Sequence, residues 1–238
     1  MPLYRDRRLK VVGARKYFFR LVKFSCMGLF SKRYSKQEYK VMAQAAKAGG
    51  AVLQEYHRQT PECPHPERWH MYDSMTAEVE VLEFLRTLTT TVKPELVVET
   101  GSFLGISTLW IAEGIRANGF GKIVSCEFDP VVYNSAREKI AASELGDYID
   151  LRNESSLEMQ VSGSIDLLFC DSDPDIRELE VRRFLPQVKP QGLILLHDAS
   201  SHMKTVRDAA KRLESEGLIS AVFLPTPRGL EGVMKLRA

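Results

Sequence analysis

Between residues 96 and 197, short continuous apolar runs alternate with stretches in which apolar residues recur every three or four positions. The runs Leu96 to Thr100, Lys122 to Cys126, Tyr148 to Arg152, Ile165 to Cys170 and Leu193 to His197 suit strands covered on both faces. Ser107 to Asn118, Pro130 to Leu145 and Ile176 to Leu185 read as the helices between them. Strand and helix in turn predict a parallel sheet. Past His197 the rhythm changes to a helix, His202 to Glu216, followed by strands Ser220 to Leu224 and Gly232 to Leu236. The Pro/Gly link between those two strands is too short for a crossover, so they pair antiparallel. Ahead of the sheet, Thr76 to Thr89 carries Val81, Leu82, Leu85 and Leu88 on one helical face. Thr60 to Asp73 is a loop crowded with Pro61, Pro64 and Pro66, and Lys36 to His57 is a helix bent near Gly49-Gly50. The fold class expected is α/β. A doubly wound, mostly parallel seven-stranded sheet ends in an antiparallel hairpin over 74–238, and a basic arm with a helical cap occupies 1–73.

Composition adds little until charge is read locally. The 238 residues are 44% apolar, ordinary for a globular protein, and no segment approaches the ~18 uninterrupted apolar residues of a membrane span. The net charge of +2 conceals an asymmetry: residues 1–40 carry 12 Lys and Arg against Asp6 and Glu38, so the rest of the chain is acidic. Lys16, Arg20 and Lys23 repeat at helical spacing beside Phe18, Phe19, Leu21, Val22, Phe24 and Met27. This describes an amphipathic helix with a cationic stripe, and not a secretory signal. Three partners suit it: this chain or a second copy of it in a homodimer, the surface of an anionic membrane in peripheral contact, or an acidic polymer. Packing is preferred and nucleic acid is not expected. The four cysteines are scattered, with Cys126 and Cys170 inside strands, which favours reduced thiols and a cytoplasmic location. Cys63, His65 and His70 lack paired metal-ligand spacing.

The chemistry lies at strand ends. In Val97-Val98-Glu99-Thr100-Gly101-Ser102-Phe103-Leu104-Gly105-Ile106-Ser107-Thr108 a strand meets a glycine turn and a helix start. Gly101 and Gly105 clear side chains from a ligand's approach to the backbone. An acid immediately before the glycines suits a cationic ligand, whereas beside a diphosphate it would repel. That spacing differs from the tighter glycine pattern of dinucleotide folds, and no tyrosine here has a lysine four residues later, which argues against a nicotinamide dehydrogenase. Glu127, 26 residues past Gly101 at the end of the next strand, stands where an acid accepts hydrogen bonds from ribose hydroxyls. Asp171 and the pair His197-Asp198 close two further strands, and His197 is a candidate base for removing a proton from an acceptor.

The segments "VVETGSFLGIST", "CEFDP", "IDLLFCDSDP" and "VKPQGLILLHD" resemble the class I S-adenosylmethionine-dependent methyltransferases, whose sheet is Rossmann-like, and within them the small-molecule O-methyltransferases of catechol and macrocin type. The resemblance covers about two thirds of the chain, from near Met75 onward. It implies S-adenosylmethionine as cofactor and a small-molecule methyl acceptor. It further implies that Glu99, Gly101 and Ser107 surround the methionine part, Glu127 the ribose, Glu154 and Ser155 the adenine, and that Asp171 lies beside the methionine amine, with Ser102 and Gly105 also among the cofactor-binding residues. His197 and Asp198 are the catalytic candidates. Catechol-type members hold magnesium with two acids and an asparagine and use a lysine base. This chain keeps Asp171 and Asp198 as metal candidates but has Ala199 at the asparagine position and no lysine after Asp171. A divalent metal therefore stays open as a second cofactor. N-methylation, or cofactor binding without catalysis, are the alternative activities.

Overall fold

The computed structural model describes residues 68–73, 75–200 and 204–236. The basic stripe, the Lys36–His57 helix, most of the proline loop, Cys26, Cys63, His65 and His202 lie outside them. Seven strands form one sheet: β1 (Leu96–Thr100), β2 (Lys122–Cys126), β3 (Ile149–Arg152), β4 (Ile165–Cys170), β5 (Val188–His197), β6 (Ile219–Leu224) and β7 (Leu230–Lys235). Their order is β3-β2-β1-β4-β5-β7-β6. The first five are parallel, and β7 runs antiparallel to both β5 and β6. The expected architecture and closing hairpin are both present.

Helices α1 (Val79–Val92), α2 (Ile106–Asn118), α3 (Pro130–Ala141), α4 (Arg177–Phe184) and α5 (Lys204–Ser215) connect and cover the sheet. Side chains alternate across each strand. Val98, Leu168, Ile194 and Leu196 pack with Val181 and Phe184 of α4 and Val206, Ala210 and Leu213 of α5. Val97, Ile123, Leu167, Phe169 and Leu195 point the other way and are equally buried. This double burial explains why the parallel strands read as unbroken apolar runs. On that second side α1 packs against α2. The crossing is close, because a Cβ on Gly114 would lie 2.8 Å from the Arg86 carbonyl oxygen.

Local chemistry sets the boundaries. Pro130 opens α3 and the Asp129 side chain accepts from the N–H groups of Val131 and Val132, a capped start. α3 ends at Ala141, four residues short of the helix expected through Leu145. β5 begins at Val188, five residues before the predicted Leu193. Pro190 and Gly192 resemble a turn in sequence, but here they belong to a bulge beside β4 at which Gln191 takes φ +64°.

Candidate active site

Four parallel strands finish level. Thr100 lies opposite Cys126 on one side and Cys170 on the other, and Cys170 lies opposite Leu196. Gly101, Glu127, Asp171 and His197 consequently follow one another along the carboxyl edge of the sheet, where open α/β sheets receive ligands.

After β1 the chain makes a tight loop in which Gly101, Phe103 and Gly105 all adopt left-handed backbone, at φ +77°, +47° and +76°. A Cβ on Gly101 would stand 2.6 Å from the Ser172 Cα, so the loop after β4 presses directly on this turn and leaves no room for a side chain. The N–H groups of Gly101 and Ser102 donate to the Cys126 carbonyl at 3.0 and 2.9 Å. Glu127 joins the same turn: its carboxylate accepts from the N–H of Phe103 and of Asp129, each at 2.9 Å. Each oxygen keeps lone pairs for a further donor. The loop after β3 is fastened beside it, since Asn153 Nδ2 donates to the carbonyls of Glu127 and Phe128 at 2.8 and 3.1 Å. That contact brings Glu154 and Ser155 to the Glu127 end of the edge. Glu154 pairs with Arg152 at 3.5 Å, and Ser155 Oγ accepts from the Leu157 N–H at 3.3 Å.

Beneath the turn Glu99 is fully buried. Its Oε2 accepts from Thr108 Oγ1 and Ser125 Oγ, both at 2.5 Å, while Oε1 has no hydrogen-bond partner. Burial pushes this carboxyl up to about 7, against the hydroxyls of Ser107, Ser125 and Thr108, and the Asp171 charge adds to the rise. The Ser102 hydroxyl is likewise buried without a partner. An unsatisfied buried polar group costs about 1–3 kcal/mol, and two of them flank this glycine turn, one on β1 and one in the loop after it.

A second cluster occupies the ends of β4 and β5. The His197 ring is fully buried, with Nδ1 2.9 Å from Asp171 Oδ1 and Nε2 2.8 Å from Glu78 Oε2. Burial alone would discharge the imidazole, but the charge and hydrogen bond of Asp171, joined by those of Glu78, overcome it and raise the pKa to about 10. Glu78 shows the reciprocal effect. Burial opposes its charge, yet the His197 contact and the Arg228 N–H draw it down to about 2. Asp198, in left-handed backbone at φ +61°, is held by Arg228, whose Nε and Nη2 donate to its two oxygens at 2.6 and 3.0 Å. Its carboxyl also lies below the usual range, because His197 and Arg228 outweigh burial. Arg177 is completely buried and donates to the carbonyls of Cys170, Ser172 and His197, stitching the two strand ends together. Its Nη2 stands 3.4 Å from Asp171 and 3.6 Å from Asp198.

His197 was expected as a base, and the structure places a carboxylate oxygen against each of its ring nitrogens. A ring lying between two carboxylates favours a proton on each nitrogen, and neither nitrogen faces an open acceptor position. The residues placed together as expected are Glu99, Gly101, Ser102, Gly105 and Ser107 around the first turn, Glu127 with Glu154 and Ser155, and Asp171 with His197 and Asp198. Glu78, Arg177 and Arg228 were not anticipated. An acid pair at neighbouring strand ends demands counter-charge, and that demand was the one available signal for them.

Comparison with known proteins fits this geometry. Residues 98–199 match the family model described as a methyltransferase domain. A protein of Mycobacterium sp. (strain JLS) named as an O-methyltransferase is 25% identical over 162 residues, 61% of this chain and 73% of the relative. An O-methyltransferase of Bacillus cereus, solved in complex with S-adenosylhomocysteine, superposes with a TM-score of 0.60 at 16% identity, covering 92% of this chain and 97% of its own. The O-methyltransferase TomG of Streptomyces achromogenes, involved in tomaymycin synthesis and solved with S-adenosylmethionine, gives a TM-score of 0.60 at 14% identity over 86% of this chain and all of its own.

Proposed function

We infer that this chain, a class I S-adenosylmethionine-dependent methyltransferase, methylates a hydroxyl group of a small-molecule acceptor at the carboxyl edge of its sheet. When bound, S-adenosylmethionine supplies an electrophilic methyl group on a sulfonium. The observation that carries the placement is the pair of orphaned buried atoms, Glu99 Oε1 and Ser102 Oγ, at a turn where a Cβ would collide with backbone. Those atoms fit the methionine end of the cofactor. Glu99 and Asp171 attract its ammonium, with Ser107 and the open backbone at Gly101 and Gly105 beside them. Glu127 takes the ribose hydroxyls, and Glu154 and Ser155 border the adenine. His197 and Asp198 contribute position rather than proton abstraction: the imidazolium fixes Asp171, and the Arg228 fork fixes Asp198, so both carboxylates face the reaction as rigid groups. The basic arm over 1–40 we assign to packing on this chain or on a second copy of it, in a cytoplasmic protein that does not bind nucleic acid.

Two measurements test the reading. Calorimetric titration with S-adenosylhomocysteine should give micromolar-range affinity, about −8 kcal/mol. Incubation with methyl-labelled cofactor and hydroxyl-bearing small molecules should leave the label on oxygen. Binding of a nicotinamide dinucleotide in place of the sulfonium compound would overturn it.

A further inference from the structure

We propose that this chain holds a built-in cation cluster of Arg177, His197 and Arg228 where its paired strand-end acids would otherwise collect a divalent metal, and that it transfers methyl groups without one. The proposal rests on the methyltransferase reading above. Asp171, His197 and Asp198 each offer a ligand atom, and these atoms lie within 4.8 Å of one another, so by distance alone they could form a metal site. Their bonds say otherwise. A metal needs the lone pair of a neutral imidazole, and His197 spends Nδ1 on Asp171 at 2.9 Å and Nε2 on Glu78 at 2.8 Å. Both ring nitrogens are therefore already taken up by carboxylate oxygens, and neither points at the space between Asp171 and Asp198 as a free ligand.

Asp198 is committed as well. Arg228 grips both of its oxygens in a planar fork, the geometry in which guanidinium holds carboxylate best. Arg228 cannot swing away freely, because Nη1 donates to the carbonyls of Met75 and Thr76 at 2.6 and 3.3 Å and its peptide N–H donates to Glu78 Oε1 at 2.7 Å. Arg177 has no exposed surface and is tied to three carbonyls, so it is a permanent charge behind both acids. Among the described residues, Glu78, Asp171 and Asp198 lie against these cations. Nearby Glu180 is satisfied separately by the hydroxyls of Thr100 and Ser172, at 3.0 and 2.6 Å. A divalent ion held by Asp198 would have to break the Arg228 fork. The next position, Ala199, is buried and brings only a methyl group.

The test uses the full chain after exhaustive EDTA treatment, with S-adenosylhomocysteine bound. Mn2+ is titrated to about 1 mM and the free ion is followed by electron paramagnetic resonance. The expected result is no stoichiometric binding, with cofactor affinity and labelled-methyl transfer both changed less than about twofold by chelation or by added Mg2+, Mn2+ or Zn2+. Asp198→Asn tells a metal ligand from an arginine partner. Loss of stability in that variant with no Mn2+ signal to lose agrees with the proposal. Micromolar Mn2+ binding in the wild type that disappears in Asp198→Asn overturns it, and the wild-type titration decides even if the variant fails to fold. Failure of S-adenosylhomocysteine to bind at all would instead remove the methyltransferase reading and this proposal together.

Discussion

His197 shows how neighbours, and not residue type, decide what a side chain can do. Two carboxylates engage both ring nitrogens and raise the pKa of a residue otherwise suited to proton transfer, and its pH signature follows. Because its folded pKa is raised from 6.5 to about 10, its stabilisation is complete below 6.5 and fades as pH rises through about 10. Glu78 runs the opposite way, lowered from 4.5 to about 2, so its stabilisation is complete above 4.5 and fades as pH falls toward 2. The two describe one contact and count once. Thermal melts should show the wild type losing stability between pH 7 and 10 more steeply than His197→Gln, and parallel curves would contradict the imidazolium. Glu78→Gln should cost about 1–3 kcal/mol in denaturant unfolding, since it removes one of the two carboxylates that hold His197 and leaves Asp171 as the other. Glu99 makes a separate prediction. With its carboxyl near 7, ionisation favours an ammonium ligand, so affinity for S-adenosylhomocysteine should rise between pH 6 and 8 and binding should release a proton. Glu99→Gln should flatten that dependence in calorimetry repeated across buffers. Of these residues, Glu99, Asp171 and His197 were legible from their strand-end positions. Glu78 was not, because it is 119 residues from His197 and stands before a helix as an ordinary acid would.

At the scale of elements, the turn between β1 and α2 is the most exacting piece of backbone on this edge. Gly101→Ala would need both a left-handed alanine, costing about 1–2 kcal/mol, and displacement of the Ser172 backbone. The displacement moves Asp171 and the two orphaned atoms with it. Affinity for S-adenosylhomocysteine should fall at least about tenfold while far-UV circular dichroism stays unchanged. Retained affinity would mean the cofactor does not touch this turn. Strand positions were readable because β1, β2 and β4 are short and apolar between clear breaks. The early start of β5 was hidden, since Pro190 and Gly192 signal a turn locally while pairing with β4 and β7 decides the conformation. Arg177 and Arg228 escaped notice for a similar reason: one follows an acidic turn and the other sits in a Pro/Gly link, and their meaning arises only when distant strands align.

For the whole molecule, charge divides the chain into a basic stretch over 1–40, at +10, and an acidic remainder at −8. Every residue assigned to the cofactor lies between 99 and 171. Deleting residues 1–35 should therefore leave S-adenosylhomocysteine affinity within about threefold, while oligomeric state by light scattering or acceptor turnover changes. Full-length protein should not float with anionic vesicles at physiological salt. Flotation that weakens as salt rises would show that the arm meets a membrane surface instead.

The bond from the Arg228 N–H to Glu78 spans 150 residues of sequence. A ribosome adding about 5–20 residues per second releases Glu78 many seconds before the arginine exists. Asp171 and Asp198 follow Glu78 out only 57 and 30 residues before Arg228, and until it appears the nascent domain must keep these acids in water or carry them protonated. The link between β6 and β7 thus locks the site, and a chain truncated just before Arg228 would have most of its sheet and lack the Arg228 clasp.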